Sequence, residues 1–183
     1  MRRILILVSV LVISFITYSC SDSGNKPGKD VTTNNNIVQQ KDDGTIDLLI
    51  EKASCYHDNT NPSCNTAEWN IIVSKPGRYK VWLSSATKDT MDLQYTNTVK
   101  ISLQDERLDV RPVGDKIVLN ANDVKYPYYR ADSYMGTFYI QDPGEYSIQV
   151  ISEKAVAKSD NAQGNPVTDH TKLMSVFLTP MTR

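Results

Sequence analysis

Hydrophobic and polar residues alternate along most of the chain after Gly44. A period of two places successive side chains on opposite faces of a strand, so each alternating run predicts a half-buried β-strand. The predicted strands are residues 46–50, 69–73, 79–83, 99–103, 107–110, 116–119, 134–141, 145–152 and 173–179. No stretch of comparable length has a helical period. Short strands separated by turns, without helices between them, predict an all-β fold, an antiparallel β-sandwich or jelly roll of about nine strands.

Two of the predicted strand pairs repeat the same hairpin sequence. Val-Ser-Lys-Pro-Gly-Arg-Tyr-Lys-Val at 73–81 corresponds almost position for position to Ile-Gln-Asp-Pro-Gly-Glu-Tyr-Ser-Ile at 140–148. Pro followed by Gly is typical of a tight turn, because Pro fixes its own φ and Gly accepts a positive one. Tyr79 and Tyr146 then fall on the apolar side of their strands. Both are therefore predicted to pack in the core rather than to contact a ligand.

The beginning of the chain has the pattern of an export signal. Arg2 and Arg3 precede an apolar run at 4–16, which is too short to cross a bilayer as a helix, and the small residue Ser19 precedes Cys20. This arrangement resembles the lipobox of bacterial lipoproteins, in the looser form used by Bacteroidota-type bacteria. The resemblance implies that residues 1–19 are removed and that Cys20 is lipidated and becomes the first residue. The alternative is a cleaved soluble protein with one spare cysteine.

The mature chain is predicted to be a single domain on a tether. Residues 20–44 are rich in Gly, Pro, Thr, Asn and Gln and offer little to bury, so they are predicted to form a flexible linker. Residues 45–183 are predicted to form the domain. Hydrophobic residues make up 40% of the chain, enough for one core of ordinary size. We expect attachment to the outer membrane of the cell envelope through acyl chains on Cys20, with the domain facing the periplasm or the cell surface.

Cys55 and Cys64 are predicted to form a disulfide. An exported protein meets an oxidising compartment, and closing the short, turn-rich segment between these cysteines would stabilise the fold by roughly 2–3 kcal/mol in the chain-entropy model. This pairing leaves Cys20 alone, and acylation accounts for the odd cysteine. A metal site at Cys55, Cys64 and His57 is the less favoured alternative, because only the distant His170 completes a set of four zinc ligands.

The strands and hairpins together resemble the galactose-binding-like jelly rolls, especially carbohydrate-binding modules of families 6 and 35. The corresponding parts are the first strand at 46–51, the hairpin at 69–83, the middle strand at 99–103, the second hairpin at 138–150 and the last strand at 173–180. The resemblance implies a β-sandwich that binds carbohydrate. It also implies a structural calcium held by an acidic residue of the first strand and an aspartate of the last. Glu51 matches the former, but residues 173–178 contain no carboxylate, so Glu51 is a calcium candidate without a second ligand, and no other cofactor is expected.

Aromatic and charged residues are concentrated just before the second hairpin. Sugar binding uses such mixtures, because an aromatic ring covers the apolar face of a pyranose while Asp, Asn or Arg side chains bond its hydroxyls. The candidate ligand-binding residues are Tyr126, Tyr128, Tyr129, Arg130, Asp132 and Tyr134, together with Trp82, which is predicted to point away from the core side of its strand. The alternative is that these aromatic residues lie at the edge of the sandwich with their rings packed on a neighbouring strand, since β-proteins are commonly rich in tyrosine.

The chain lacks the motifs of common catalytic classes. It has two histidines and no nucleophile elbow, zinc-protease motif or phosphate loop, and its net charge of −1, more negative still without Arg2 and Arg3, does not favour nucleic acid. A glycosidase needs only two carboxylates, so that activity stays open. We therefore predict a lipid-anchored, non-catalytic binding protein that captures a carbohydrate at the cell envelope. The alternative is an assembly subunit of an envelope complex that binds protein partners and no sugar.

Overall fold

The computed structural model describes residues 31–32, 37–157 and 170–181, and in these residues the regular structure is almost entirely β. The strands are β1 Val31–Thr32, β2 Ile37–Gln39, β3 Ile46–Leu49, β4 Ser54–Tyr56, β5 Thr66–Val73, β6 Gly77–Thr87, β7 Val99–Leu103, β8 Glu106–Val110, β9 Lys116–Val118, β10 Tyr129–Ile140, β11 Gly144–Ile151 and β12 Thr171–Pro180. Two short 3-10 helices are Ile50–Lys52 and Pro62–Cys64. Within the same residues, no helix is both long and apolar enough to cross a membrane.

The strands form two sheets that pack as a β-sandwich. The seven-stranded sheet has the order β1-β4-β5-β11-β7-β8, with β2 pairing in parallel with β5, and the five-stranded sheet has the order β3-β12-β6-β10-β9. The predicted all-β sandwich is confirmed, and the predicted strands are present as β3 and β5 to β12. The sequence did not reveal β1, β2 and β4, because two or three residues are too few to show a period.

The core lies between the two sheets and is filled by the inward-facing residues of each strand. In β5 the odd-numbered residues are buried and the even-numbered ones are not, as the alternation predicts. Trp69 is among the largest fully buried side chains, and its indole Nε1–H donates a 2.8 Å hydrogen bond to the carbonyl of Leu49. Because Trp69 belongs to the seven-stranded sheet and Leu49 to the five-stranded one, this bond joins the two sheets.

The sandwich includes residues that the sequence assigned to the tether. Residues 37–39 pair with residues 70–72 of β5, and Val38 is buried against the core. Gln40 then ties this segment to the first Pro-Gly hairpin, because its side-chain Oε1 accepts from the backbone N–H of Lys75 at 2.7 Å and its Nε2 donates to Gly44 O at 2.8 Å. The sandwich therefore also contains residues that precede Thr45, where the predicted domain starts. A single buried valine among polar residues carries no periodic signal. The predicted signal peptide and Cys20 lie outside the described residues.

The two Pro-Gly hairpins share a tyrosine hydrogen bond as well as a sequence. The hydroxyl of Tyr79 donates to the carbonyl of Lys75, four residues earlier, and the hydroxyl of Tyr146 donates to the equivalent carbonyl of Asp142 at 2.6 Å. Tyr79 is 1% exposed and accepts a second bond from Gln40 Nε2 at 2.7 Å, whereas Tyr146 is only partly buried. The predicted core position is thus confirmed fully for Tyr79, and Tyr146 packs against the edge of the core.

Replacing Tyr79 with phenylalanine is expected to lower the free energy of unfolding by about 1–2 kcal/mol, because it removes one partner from two hydrogen bonds in a dry site. Tyr146→Phe is the matched control. It removes the equivalent single bond at a wetter position, so we expect a loss of about 0.5 kcal/mol. Urea denaturation followed by circular dichroism measures both. An equal or larger loss at Tyr146 would show that the Gln40 contact does not stabilise the first hairpin.

The predicted disulfide between Cys55 and Cys64 is absent. Cys55 is fully buried and faces the core, next to Ala67 of β5. Cys64 instead lines a cavity of about 440 Å³ on the outer side of the same sheet, where Asn61 Nδ2 donates to its Sγ at 3.2 Å. The two thiols therefore lie on opposite faces of the sheet, and a disulfide needs Cβ atoms that point towards each other. Spacing along the chain does not reveal this, because the alternation of β4 turns Cys55 inwards, whereas Cys64 lies outside β4, in the 3-10 helix Pro62–Cys64.

Candidate ligand-binding face

The outer face of the five-stranded sheet carries most of the predicted ligand-binding residues. On β6, Tyr79, Val81 and Leu83 point into the core, so the even-numbered residues from Lys80 to Ala86 point outwards. The strand register places their neighbours on β10 and β12 in rows across the sheet. The aromatic row is Tyr134, Trp82 and Phe177; the polar row is Asp132, Ser84 and Ser175; the basic row is Arg130, Ala86 and Lys172.

The aromatic row brings three rings from three strands into contact. The rings of Trp82 and Phe177 are nearly parallel, at 7° with centroids 6.2 Å apart, and the rings of Trp82 and Tyr134 are tilted by 58° with centroids 5.3 Å apart. Tyr134 is 41% exposed, and the other two are half-buried. Rings of this kind form rigid contact surfaces, because cross-strand aromatic pairs hold one another in place.

The polar row is fixed by an ion pair on the surface of the sheet. Arg130 donates to both oxygens of Asp132, from Nε at 2.8 Å and from Nη2 at 2.9 Å, and Ser84 Oγ donates to the same carboxylate at 2.9 Å. Asp132 is only 1% exposed. The hydrogen bond to Asp132 raises the pKa of the Arg130 guanidinium, and partial burial opposes this. Bidentate pairs of this geometry hold both side chains in one orientation.

The guanidinium of Arg130 also connects the polar row to its surroundings. Its Nη1 lies 3.2 Å from Asp123, and its Cζ lies 5.8 Å from the centroid of Phe177. The side chain thus runs from the basic row towards the aromatic row. Arg130 is positioned by two carboxylates and one ring, so its orientation is set before any ligand arrives.

The remaining predicted tyrosines do not all join this face. Tyr129 pairs with Thr87 and lies on the opposite side of β10 from Arg130, at the edge of the interior. Tyr126 is 89% exposed in the loop before β10. Tyr128 is half-buried, and its ring lies near two lysines of the outer face, Lys88 and Lys172. The structure therefore brings together Trp82, Arg130, Asp132 and Tyr134, places Tyr128 beside them, and separates Tyr126 and Tyr129.

Phe177 belongs to the face but was not predicted from the sequence. It lies between Val176 and Leu178 in an apolar run, and such a run is typical of a core strand. Val176 and Leu178 pair with the core residues Leu83 and Val81, so the residue between them must point outwards. A register shift between Leu173 and Ser175 changes the alternation along β12. This irregularity hides the outward position of Phe177 from a simple period-two pattern.

The residues considered as metal ligands are dispersed. Glu51 is exposed in the 3-10 helix Ile50–Lys52, His57 accepts a long hydrogen bond from the backbone N–H of Ala157 at 3.4 Å, and His170 is exposed just before β12. Across residues 37–157 and 170–181, no three Cys, His, Asp or Glu side chains are grouped so that they could hold a metal ion.

The comparisons with known proteins concern the fold. No protein-family model matches the chain, and no curated protein matches it. Among solved structures, an α-L-fucosidase from Vibrio sp. strain EJY3 is similar over 79% of this chain and 24% of its own, with a TM-score of 0.57 and 20% identity. A GH26-CBM35 β-(1,4)-mannanase from Podospora anserina is similar over 77% of this chain and 28% of its own, with a TM-score of 0.45 and 12% identity.

These similarities cover only part of the solved proteins. The chain spans about a quarter of the length of the fucosidase and the mannanase. At 20% identity, the likeness to the fucosidase shows a shared β-sandwich and says nothing about the ligand. Function must therefore be argued from the residues of the outer face.

Proposed function

We propose that this protein is a lipid-anchored, non-catalytic protein of the cell envelope that binds carbohydrate on the outer face of its five-stranded sheet. The observation that carries the proposal is the aromatic row beside the fixed Arg130–Asp132 pair. Aromatic rings pack on the C–H faces of sugars, and preoriented charged groups bond the hydroxyls. Sugar-binding sites combine these two features, and the rest of a soluble protein surface rarely does.

Polar groups beside the rings are available to a ligand. Neither the indole N–H of Trp82 nor the hydroxyl of Tyr134 is hydrogen-bonded to any residue that the structure describes. Both groups therefore retain a donor for a sugar hydroxyl, next to the rings that would contact the sugar. A buried platform of aromatic residues without free donors would instead favour a purely structural role.

The arrangement of Asp132 supports binding rather than hydrolysis. A glycosidase needs one carboxyl group that can transfer a proton and a second that acts as base or nucleophile. Asp132 is the carboxylate of the polar row, and both of its oxygens accept bonds from Arg130 or Ser84. A carboxylate held in this way orients its partner, and both of its oxygens are already occupied by hydrogen bonds.

The competing function is a protein-binding surface in an envelope complex. Trp, Tyr and Arg are also the residue types that dominate protein interfaces. Leu49, at the edge of the same sheet, is 36% exposed and adds apolar area beside Ser175. A glycan panel probed with the soluble Cys20→Ala protein separates the two functions. Saturable binding to at least one glycan supports the proposal, and no binding to any glycan supports the interface.

The anchor is tested at Cys20. We expect Cys20→Ala to lose membrane association, because no acyl chain can then be attached and each buried methylene contributes about 0.8 kcal/mol. Cys64→Ala is the matched control, since it removes a cysteine at the surface of the folded domain and should fractionate with membranes. Sedimentation of cell membranes with immunoblotting measures both. A Cys20→Ala protein that still sediments with membranes would contradict the lipid anchor.

A further inference from the structure

We infer that the cavity beside Cys64, on the outer side of the seven-stranded sheet, is a second ligand site that takes a small neutral sugar of one or two rings. The cavity has a volume of about 440 Å³. The residues that line it belong to β4, β5, β11 and the segment between β4 and β5, so it lies on the opposite side of the sandwich from the aromatic row. The inference therefore does not rest on the proposed function of the other face.

The floor of the cavity consists of outward-facing side chains from three adjacent strands. Tyr56 on β4 pairs with Thr66 on β5, and Glu68 on β5 pairs with Gln149 on β11. The residues that flank these four along their strands are mostly buried, so the alternation turns all four side chains outwards. One aromatic ring and three polar side chains thereby share one concave surface.

The wall of the cavity is the segment between β4 and β5, which its own hydrogen bonds hold in shape. Asp58 Oδ1 accepts from the backbone N–H groups of Thr60 and Asn61, both at 2.9 Å. Asn65 Oδ1 accepts from the backbone N–H of Asp58 at 2.9 Å, and the carbonyl of Asn65 accepts from the backbone N–H of Ser152 at 3.0 Å. A wall that is fixed before a ligand arrives loses little conformational freedom on binding.

Three side chains of the floor carry hydrogen-bonding groups without a protein partner. Among the described residues, nothing bonds to the hydroxyl of Tyr56, the carboxamide of Gln149 or Oε2 of Glu68, and none of these groups is buried. Glu68 Oε1, in contrast, accepts from Ser147 Oγ at 2.7 Å, which holds the carboxylate in one orientation. The hydroxyl and the carboxamide can each donate and accept, and the carboxylate accepts.

This set of groups fits the hydroxyls of a neutral sugar. Each sugar hydroxyl both donates and accepts, so one sugar can bond all three side chains while its C–H face packs on the ring of Tyr56. Glu68 disfavours an anion, and an ammonium group only donates, so it leaves the N–H groups of Gln149 unpaired. The volume of about 440 Å³ is near the lower end of the range for ligand pockets, roughly 300–1,000 Å³, so one or two sugar rings fill the site.

The thiol of Cys64 reports on occupancy, because it lines the same cavity. The experiment uses the full chain with Cys20→Ala and Trp82→Ala, so that the outer face of the other sheet does not contribute to binding. Cys55 is fully buried, which leaves Cys64 as the thiol open to iodoacetamide. We expect at least one of glucose, galactose, mannose, xylose, cellobiose and lactose to slow its alkylation about fivefold or more at saturation, because the occupied protein is shielded. Peptide mass spectrometry measures the rate, and isothermal titration gives the affinity independently.

Variants assign the protection to the floor of the cavity. Glu68→Gln keeps an acceptor for Ser147 but replaces the free oxygen with a donor, so the affinity for the protecting sugar should fall about tenfold or more. Tyr56→Phe removes only the hydroxyl and should lower the affinity about threefold to tenfold. Glu145→Gln is the matched control, because Glu145 is an exposed carboxylate of β11 on the same side of the sheet but outside this cavity, and its affinity should be unchanged. Urea midpoints verify that each variant folds.

The outcomes separate this inference from the proposed function. Protection that is lost in Glu68→Gln and kept in Glu145→Gln supports the cavity as a sugar site, even if the aromatic row binds no glycan. If no sugar slows alkylation or gives heat on titration, the inference is overturned, and the proposed function stands or falls by the glycan panel. Protection by ethanolamine or acetate instead of sugars overturns it in favour of a charged ligand. Protection that persists in Glu68→Gln with unchanged affinity also overturns it, because the sugar then does not bind at the floor.

Discussion

Replacing Trp82 with alanine is expected to weaken glycan binding by roughly 30-fold or more, the effect of removing a binding hot spot of about 2 kcal/mol. Trp82 is the middle ring of the aromatic row and contacts both Tyr134 and Phe177. Its loss removes contact area for the sugar, the indole donor and the support of both neighbouring rings. Isothermal titration with the tightest glycan of the panel measures the change in affinity.

The control for Trp82→Ala is an exposed tyrosine on the same sheet. Tyr139 is 54% exposed on β10, outside the aromatic row, and Arg78 lies over its ring at 5.7 Å. Tyr139→Ala therefore removes an aromatic ring of ordinary exposure without touching the proposed site, and binding should stay within about twofold of wild type. An equal loss of glycan affinity in both variants, or an unchanged affinity for Trp82→Ala, would show that the outer face is not the binding site.

The second large effect is expected at Trp69, where alanine should lower the free energy of unfolding by about 3–5 kcal/mol. Trp69 is 1% exposed between the sheets, so truncation leaves a cavity in close-packed surroundings. It also leaves the carbonyl of Leu49 without the 2.8 Å bond that joins β3 to β5. Because domains of this size are stable by only about 5–15 kcal/mol, this loss is a large share of the total. Urea or thermal denaturation measures it.

Trp69→Phe separates the packing from the hydrogen bond. Phenylalanine keeps most of the apolar volume and removes the indole donor, so we expect a loss of about 1–3 kcal/mol, well below that of alanine. Glycan affinity should be unchanged in the phenylalanine variant, because Trp69 faces the core and not the outer face. A phenylalanine variant as unstable as the alanine variant would mean that the bond to Leu49, not the packing, dominates at this position.

The fold was predictable wherever a strand was long enough to show its alternation. β5, β11 and the first half of β6 show a period of two, and a Pro-Gly turn marks the start of β6 and of β11. The short strand β2 has one buried residue, Val38, so its pairing with β5 depends on contacts made only in the folded protein. The prediction of a disulfide between Cys55 and Cys64 was wrong for a related reason. Their separation along the chain is short, but the pairing of β4 with β5 turns Cys55 towards the core, and Cys64 lies in the 3-10 helix Pro62–Cys64 and lines the outer cavity.

The candidate site was partly predictable for the same physical reason. Trp82 was expected to point away from Tyr79, Val81 and Leu83, and it lies on the outer face. Arg130, Asp132 and Tyr134 were chosen for their residue types, and the predicted strand began only at Tyr134. Because β10 begins at Tyr129, their even spacing places all three on one face. Phe177 was missed because an irregular register interrupts the alternation of β12. The split between Tyr128 and Tyr129 also follows from alternation, and composition alone, which favoured a single tyrosine cluster, could not reveal it.

The most direct test of the proposed binding face uses the two tryptophans of the chain. In protein labelled with ¹⁵N at tryptophan, glycan is titrated while the two indole N–H resonances are followed by NMR. Trp82 lies in the proposed site, and Trp69 is buried and bonded to Leu49. The account predicts a saturable shift of the Trp82 resonance with the Trp69 resonance unchanged. Glycan binding that leaves the Trp82 resonance unmoved would contradict it.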